Sequence, residues 1–266
     1  MGEQKPRSQN REYHVPALEK GLSILEHLSA HGARNLNQIC AELGISRTTA
    51  FSTLKNLESL GYLAHEGGMY RPSYKLFSLG MQVQRQNPDA DRIFSEVCAL
   101  RDTLQHTVHF STFVGNSSLL LYRVDGPGVV QFLSFVGEMK PLHFSGVGKA
   151  ILAYLPQNRF DAYAAGPLAV RTERTMSTAA QLQAFRENTR RCGYAIDDEE
   201  GELGVFCVGV PVFVTGGEIY AGVSVSMLKS SPSAQNMDAC LEKMLLAGAS
   251  ISRKLGYTGP YPLLDP

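Results

Sequence analysis

Residues 46–61, SRTTAFSTLKNLESLG, constrain the fold more than any other stretch of the chain. Placed on a helix at about 100° per residue, Ala50, Leu54, Leu57 and Gly61 fall at i, i+4, i+7 and i+11 and form a narrow apolar stripe. A stripe of that kind has to bury itself against other elements. The opposite side holds Thr48, Thr49, Ser52, Lys55 and Asn56, with Arg47 in the first turn. Short hydrogen-bonding side chains with a cation suit base edges and phosphates, whereas a plain solvated face is dominated by Glu and Lys. Ser46 is placed to cap the helix by accepting from a first-turn amide. Phe51, about a quarter turn from the stripe, reads as a flanking core residue in preference to a contact with a thymine methyl group.

Partners for the stripe lie on both sides of it. Upstream, Leu18, Leu22, Leu25 and Leu28 recur at helical spacing after Pro16, and Gly32 stops the run. A second short helix over 37–43 turns Ile39, Cys40 and Leu43 inward and ends at Gly44. Downstream, two short alternating runs over 62–65 and 69–71 flank Gly67 and Gly68 and predict a β-hairpin. Three helices and a hairpin over residues 15–73 make a winged helix-turn-helix, a DNA-reading architecture. Arg71 on the wing is either a solvated hairpin residue or a phosphate contact. Residues 1–14 have too little apolar surface to order themselves and read as a flexible arm, either plain disorder or a minor-groove tail carrying Lys5, Arg7 and Arg11. Charge follows the same division, with ten Lys and Arg against seven Asp and Glu over residues 1–88 although the whole chain is neutral.

A helix over 74–88, closed by Pro88, reads as a linker to a second pattern. Over 89–258, helices near 92–105, 147–154, 180–191 and 235–255 alternate with strand candidates at 108–113, 119–124, 129–134, 205–214 and 220–227. Consecutive strands without intervening helices imply a mixed, largely antiparallel sheet with helices packed on it, so the chain is α+β in class. Residues 259–266 form a short tail. With 44% hydrophobic and 19% charged residues the 266-residue chain has the composition of a globular protein. No window approaches a membrane span and the start is polar, so a cytoplasmic protein without a membrane partner is expected. Five cysteines without a CxxC pair argue against both a disulfide framework and a zinc cage.

The segments VPALEKGLSIL, LGISRTTAFSTLKNLESLGYL, KPLHFSGVGKAILAYLP, RCGYAIDDEEGELGVFCVGVPV and AGVSVS, in this order from residue 15 to 257, resemble the IclR-type transcriptional regulators. The resemblance implies a GAF-like C-terminal domain that binds a small effector, commonly a carboxylate. It also implies a dimer or dimer of dimers on an inverted-repeat DNA operator. It assigns the effector site to Gly146 and Val147 at a helix start, where unpaired amides bind anions, and to Asp197, Cys207, Ser224 and Ser226. In VSVS the two serines share one strand face while Val223 and Val225 point the other way. Asp198, Glu199 and Glu200 read as a solvated turn. The chain departs from the pattern in having Phe51 and Ser52 where many members carry a basic residue, Phe206 before the pocket cysteine, and a weakly basic 137–140 loop.

Enzyme readings fail on the residues. The run GVGKA ends like a phosphate loop, but His143 stands near where its first glycine belongs and Ala150 replaces the metal-binding Ser or Thr. His106 and His109 have HxxH spacing without an acidic third ligand. No GxSxG elbow occurs. No catalytic residues, metal or cofactor are expected. A DNA-binding regulator, with repressor ahead of activator, is the reading carried forward. The alternative is a small-ligand sensor whose helix-turn-helix makes protein contacts.

Overall fold

The computed structural model describes residues 14–127 and 131–262, and the chain divides between Asn87 and Pro88 into two compact units. Lys5, Arg7 and Arg11 of the expected arm, the first residues of the 129–134 strand candidate and the last four of the tail lie outside the described residues.

In the first unit α1 (Pro16–His31) is followed by β1 (Arg34–Asn35), α2 (Leu36–Leu43), α3 (Arg47–Ser59), β2 (Leu63–Glu66), β3 (Met69–Pro72) and α4 (Tyr74–Arg85). Each start and stop has a local cause. Asn35 and Gln38 form a reciprocal capping box on α2, and Gly44 ends it in the left-handed region at φ 64°. The Ser46 hydroxyl accepts from the Thr49 amide at the start of α3. Gly67 and Gly68 both have positive φ, which the two-residue turn between Glu66 and Met69 requires. The core consists of Ile24, Leu28, Ile39, Leu54, Leu63 and Tyr70.

Two details differ from the sequence reading. Leu18 and Leu22 are exposed, because α1 buries Gly21, Ile24 and Leu28, and the bare Gly21 faces the Thr53 methyl of α3. The hairpin also gains a third strand, since β1 pairs with β3 through Arg34 to Tyr70 and Asn35 to Met69. A two-residue strand has no periodicity to detect.

In the second unit α5 (Ala90–Leu104), β4 (Thr107–Val114) and β5 (Ser117–Val124) precede β6 (Met139–Pro141), a 3-10 turn (Leu142–Phe144) and α6 (Gly146–Tyr154). Then follow α7 (Gln157–Ala164), α8 (Ala179–Cys192), β7 (Ala195–Asp198), β8 (Val205–Phe213), β9 (Ile219–Leu228), α9 (Pro232–Gln235) and α10 (Asp238–Lys254). The six strands run in the order β6-β5-β4-β9-β8-β7, and every pairing among the described residues is antiparallel. The α+β architecture read from the sequence therefore holds, with an antiparallel sheet as its centre. Residues 131–134 of the 129–134 candidate are not a strand. Ser134 is held by side chains instead, its hydroxyl by His109 Nε2 at 2.8 Å and its carbonyl by Arg123, while β6 takes the place beside β5.

One sheet face packs against α5 and α10 through Val97, Met244 and Ile251, and receives Val108, Phe110, Val208, Val223 and Val225. The other face receives α6, whose approach is unusually close. A Cβ on Gly209 would stand 2.0 Å from the Gly146 carbonyl oxygen, and one on Gly222 would stand 2.8 Å from the Val147 carbonyl oxygen. Neither backbone can yield easily, so glycine is required by space rather than by φ. Gly209→Ala is expected to cost about 3 kcal/mol of stability or more. Urea titration followed by circular dichroism measures this, and an unchanged midpoint would contradict the tight seating of α6.

Candidate functional site

Two sites emerge, one in each unit. On α3 the stripe of Ala50 and Leu54 is fully buried and Leu57 half-buried, while Thr48, Ser52, Lys55 and Asn56 are exposed. Arg47 reaches back to the Asn37 side chain on α2. Thr49 is half-buried, and its hydroxyl accepts from Ser46 at 2.9 Å, which ties it to the cap. Ser52 donates to the Thr49 carbonyl, leaving its lone pairs outward. Lys55 pairs with Glu58 at 2.8 Å and Arg71, exposed on β3, with Glu66 at 3.6 Å. Exposed pairs of this kind contribute about 1 kcal/mol or less, so a phosphate can displace either carboxylate. Phe51, read from the sequence as flanking core, is instead 49% exposed. The core of this unit buries Ala50 and Leu54 completely and leaves Phe51 at its edge.

The second site lies where the α6 N-terminus meets the sheet. Register brings its floor together. Thr107 pairs with Ser226, Ser226 with Cys207, and Cys207 with Asp197, while one step along His109 pairs with Ser224 and Ser224 with Gly209. Since side chains alternate, four strands set His109, Ser224, Ser226, Cys207 and Asp197 on the α6 face. All five line one cavity with Gly146 and Val147, and its volume is about 90 Å³.

Above this floor α6 begins at Ser145, whose hydroxyl accepts from the Gly148 amide at 3.2 Å. The Gly146 and Val147 amides have no carbonyl partner within the helix, which leaves a partial positive charge at the cavity wall. Lys140 and Arg171 add full charges at the rim, the first paired with Glu138 at 3.1 Å.

Proton states follow from burial. His109 is pushed down to about 4, by desolvation first and then by the positive charges of Arg123 and Lys140. It is a neutral imidazole at physiological pH, bridging Ser134 and, at 3.3 Å, the Ser226 hydroxyl. Burial also holds the Cys207 thiol well above its ordinary range, so it is protonated, with Sγ 3.1 Å from the Ser226 hydroxyl. A buried neutral thiol is no nucleophile.

Asp197 is pushed up to about 6 by desolvation, although Lys149 and two amides favour its charged form. Its Oδ1 accepts from the Glu200 and Gly201 amides at 2.9 and 3.2 Å, so a ligand contact falls to Oδ2. The neighbouring acids are not a solvated turn. Asp198 and Glu199 pair with Arg174, and Glu200 makes an ion pair with Lys149 of α6, which is 2% exposed. Only the fold brings Lys149, 51 residues away in sequence, to that carboxylate.

Sequence reasoning found six of the lining residues; among those it missed are His109, Lys140 and Arg171 and the carboxylates Glu138 and Glu202. For His109 the signal was present in the alternation VHFS on β4, where Val108 and Phe110 are apolar and His109 is not. Lys140 and Arg171 lie on segments without periodicity. Among the described residues no cluster of three His, Cys, Asp or Glu side chains could hold a metal, and no helix is long and apolar enough to cross a membrane.

Comparison with known proteins agrees with both units. The model of the bacterial transcriptional regulator IclR C-terminal domain matches residues 90–253, and that of the IclR helix-turn-helix domain matches residues 17–67. The chain is 28% identical over 247 residues to the HTH-type transcriptional regulator XynR of Escherichia coli K12, covering 91% of this chain and 98% of XynR. It is 28% identical over 230 residues to the HTH-type transcriptional repressor AllR of Klebsiella pneumoniae, covering 85% and 83% of the two chains. The crystal structure of Thermotoga maritima IclR superposes with a TM-score of 0.69 at 28% identity, covering 92% of this chain and all of that one. The protein belongs to the IclR family of bacterial transcriptional regulators. It is a DNA-binding regulator rather than an enzyme.

The Asp197 carboxyl gives a pH signature. Its folded-state affinity for a proton exceeds the unfolded value of 3.8, so the folded state binds more protons between about pH 4 and 6. The stability it contributes is complete below that window and is lost as pH rises through about 6. Asp197→Asn retains the acceptor for the two amides and removes the titration. The stability of the variant relative to wild type is therefore expected to rise by about 2 kcal/mol from pH 4 to pH 7. Denaturant titrations at the two pH values test this, and a difference independent of pH would contradict it.

Proposed function

We propose that the protein controls transcription by reading an inverted-repeat operator with α3 of two paired subunits. A small hydroxylated carboxylate, held in the cavity of the C-terminal unit, then changes the spacing of those DNA-binding units. The observation that carries the effector reading is the cavity itself. The α6 start, with Lys140 and Arg171 at the rim, meets the hydrogen-bonding groups of His109, Ser224, Ser226 and Cys207, while Asp197, Glu138 and Glu202 are the acidic lining, a combination suited to an anion that also carries hydroxyl groups. Its volume accommodates about six to nine water-sized groups, the scale of a small organic acid. Ionised Asp197 can only accept, so a ligand hydroxyl suits it better than a second carboxylate. The name of AllR supports repression as the mode of action. The cap-bound Thr49, exposed Thr48, Ser52, Asn56 and Lys55, together with Arg47 and Arg71, form the DNA contact set. Half-sites one helical turn apart make a change of subunit spacing sufficient to break register.

Two experiments test the two halves independently. Lys55→Ala is expected to weaken binding to every duplex and lower the slope of log affinity against log salt by about 1, whereas a Thr48, Thr49 and Ser52 triple alanine variant should lose sequence preference. Unaltered operator affinity in the folded triple variant would remove α3 from the interface. For the cavity, a thermal-shift screen of carboxylates supplies a ligand for calorimetric titration. Ser224→Ala with Ser226→Ala is expected to weaken that ligand by about 1–3 kcal/mol per lost bond while operator binding without ligand stays intact. Equal affinity in the variant and wild type would place the effector elsewhere.

A further inference from the structure

The α3 surface holds one large apolar side chain outside the core. Phe51 is 49% exposed while Ala50 and Leu54, its neighbours on the stripe, are fully buried. At about 100° per residue it lies roughly 40° from Lys55 and 60° from Thr48, so the ring stands at the flank of the polar face and not opposite it. Among the described residues it takes part in no ring stacking and no cation–π contact. Side chains three before, one after and four after it, Thr48, Ser52 and Lys55, are all exposed and can all donate hydrogen bonds. An aromatic ring in that setting offers shape and apolar surface only. In the major groove each base pair presents donors and acceptors, and the thymine 5-methyl is the one apolar group on view.

We infer that Phe51 is a specificity-determining residue that packs on a thymine 5-methyl group in each operator half-site. This rests on the reading of α3 as the groove-bound helix and goes beyond it by naming the base and the atom. Ser52, directly after Phe51, is too short to span a guanine edge in the bidentate manner of arginine. The half-site read by this chain therefore depends on an A·T pair seen through its methyl group, at the position facing the middle of α3.

Uracil in place of thymine removes that methyl and leaves base pairing unchanged. The full-length protein is used to select its half-site from a random duplex library, and each thymine of the selected site is then replaced in turn by deoxyuridine. The expected result is one thymine per half-site at which uracil lowers affinity about fourfold, and about 15-fold when both half-sites carry it. Phe51→Ala should lose a similar factor on the thymine operator and bind the thymine and uracil operators equally. Phe51→Leu should retain part of the discrimination. Because the ring lies outside the core, both variants should melt at the wild-type temperature. The inference is overturned if no thymine can be told from uracil, if Phe51→Ala still discriminates, or if Phe51→Ala melts early. Selection of no duplex at all would overturn the DNA reading itself, and the inference with it.

Discussion

The close seating of the α6 N-terminus on the sheet is the constraint on which the C-terminal unit depends. Gly209 and Gly222 remove the side chains that would hold α6 away, and Gly146 brings its own backbone against Cys207, a Cβ there standing 3.0 Å from the Cys207 Cβ. The consequence is electrical as well as steric. Amides at a helix start act over one turn, so they polarise a ligand only if the helix arrives within hydrogen-bond reach of the floor. A side chain at Gly209 or Gly222 would push these amides away from the serine face of the sheet.

A second set of bonds fixes the cavity wall opposite the sheet. Lys149, one turn into α6, pairs with Glu200, and Asp197 takes the amides of Glu200 and Gly201. The turn after β7 is thereby tied both to α6 and to its own strand. Gly201 lies so near the Phe144 carbonyl that a Cβ would approach it to 2.1 Å. Removing one partner of a buried ion pair leaves the other charge desolvated, so this clamp holds the wall rigidly while Arg171 and Lys140 at the rim remain in contact with water.

In the N-terminal unit it is the buried core that orients the helices. Its core of six side chains orients α3, and the exposed face follows from the geometry of the buried one. Capping sharpens the arrangement: the Ser46 and Thr49 hydroxyls are occupied in starting the helix, while Arg47, Thr48, Phe51, Ser52, Lys55 and Asn56 present outward.

The sequence by itself determined the elements whose cause is local. Spacing placed α1, α2 and α3, Ser46 stood where a cap was needed, Gly67 and Gly68 made the wing, and alternation in VSVS separated two serines from two valines. Only the tertiary structure decided what depends on register and on distance along the chain. Hydrogen-bonded pairing aligned His109, Ser226, Cys207 and Asp197 from four strands, and chain crossing brought Lys149 to Glu200. It also decided that α1 turns Ile24 rather than Leu18 inward and that Phe51 stays outside. Periodicity marks which faces are apolar, but which edge of an apolar face is covered depends on the shape of the partner it meets.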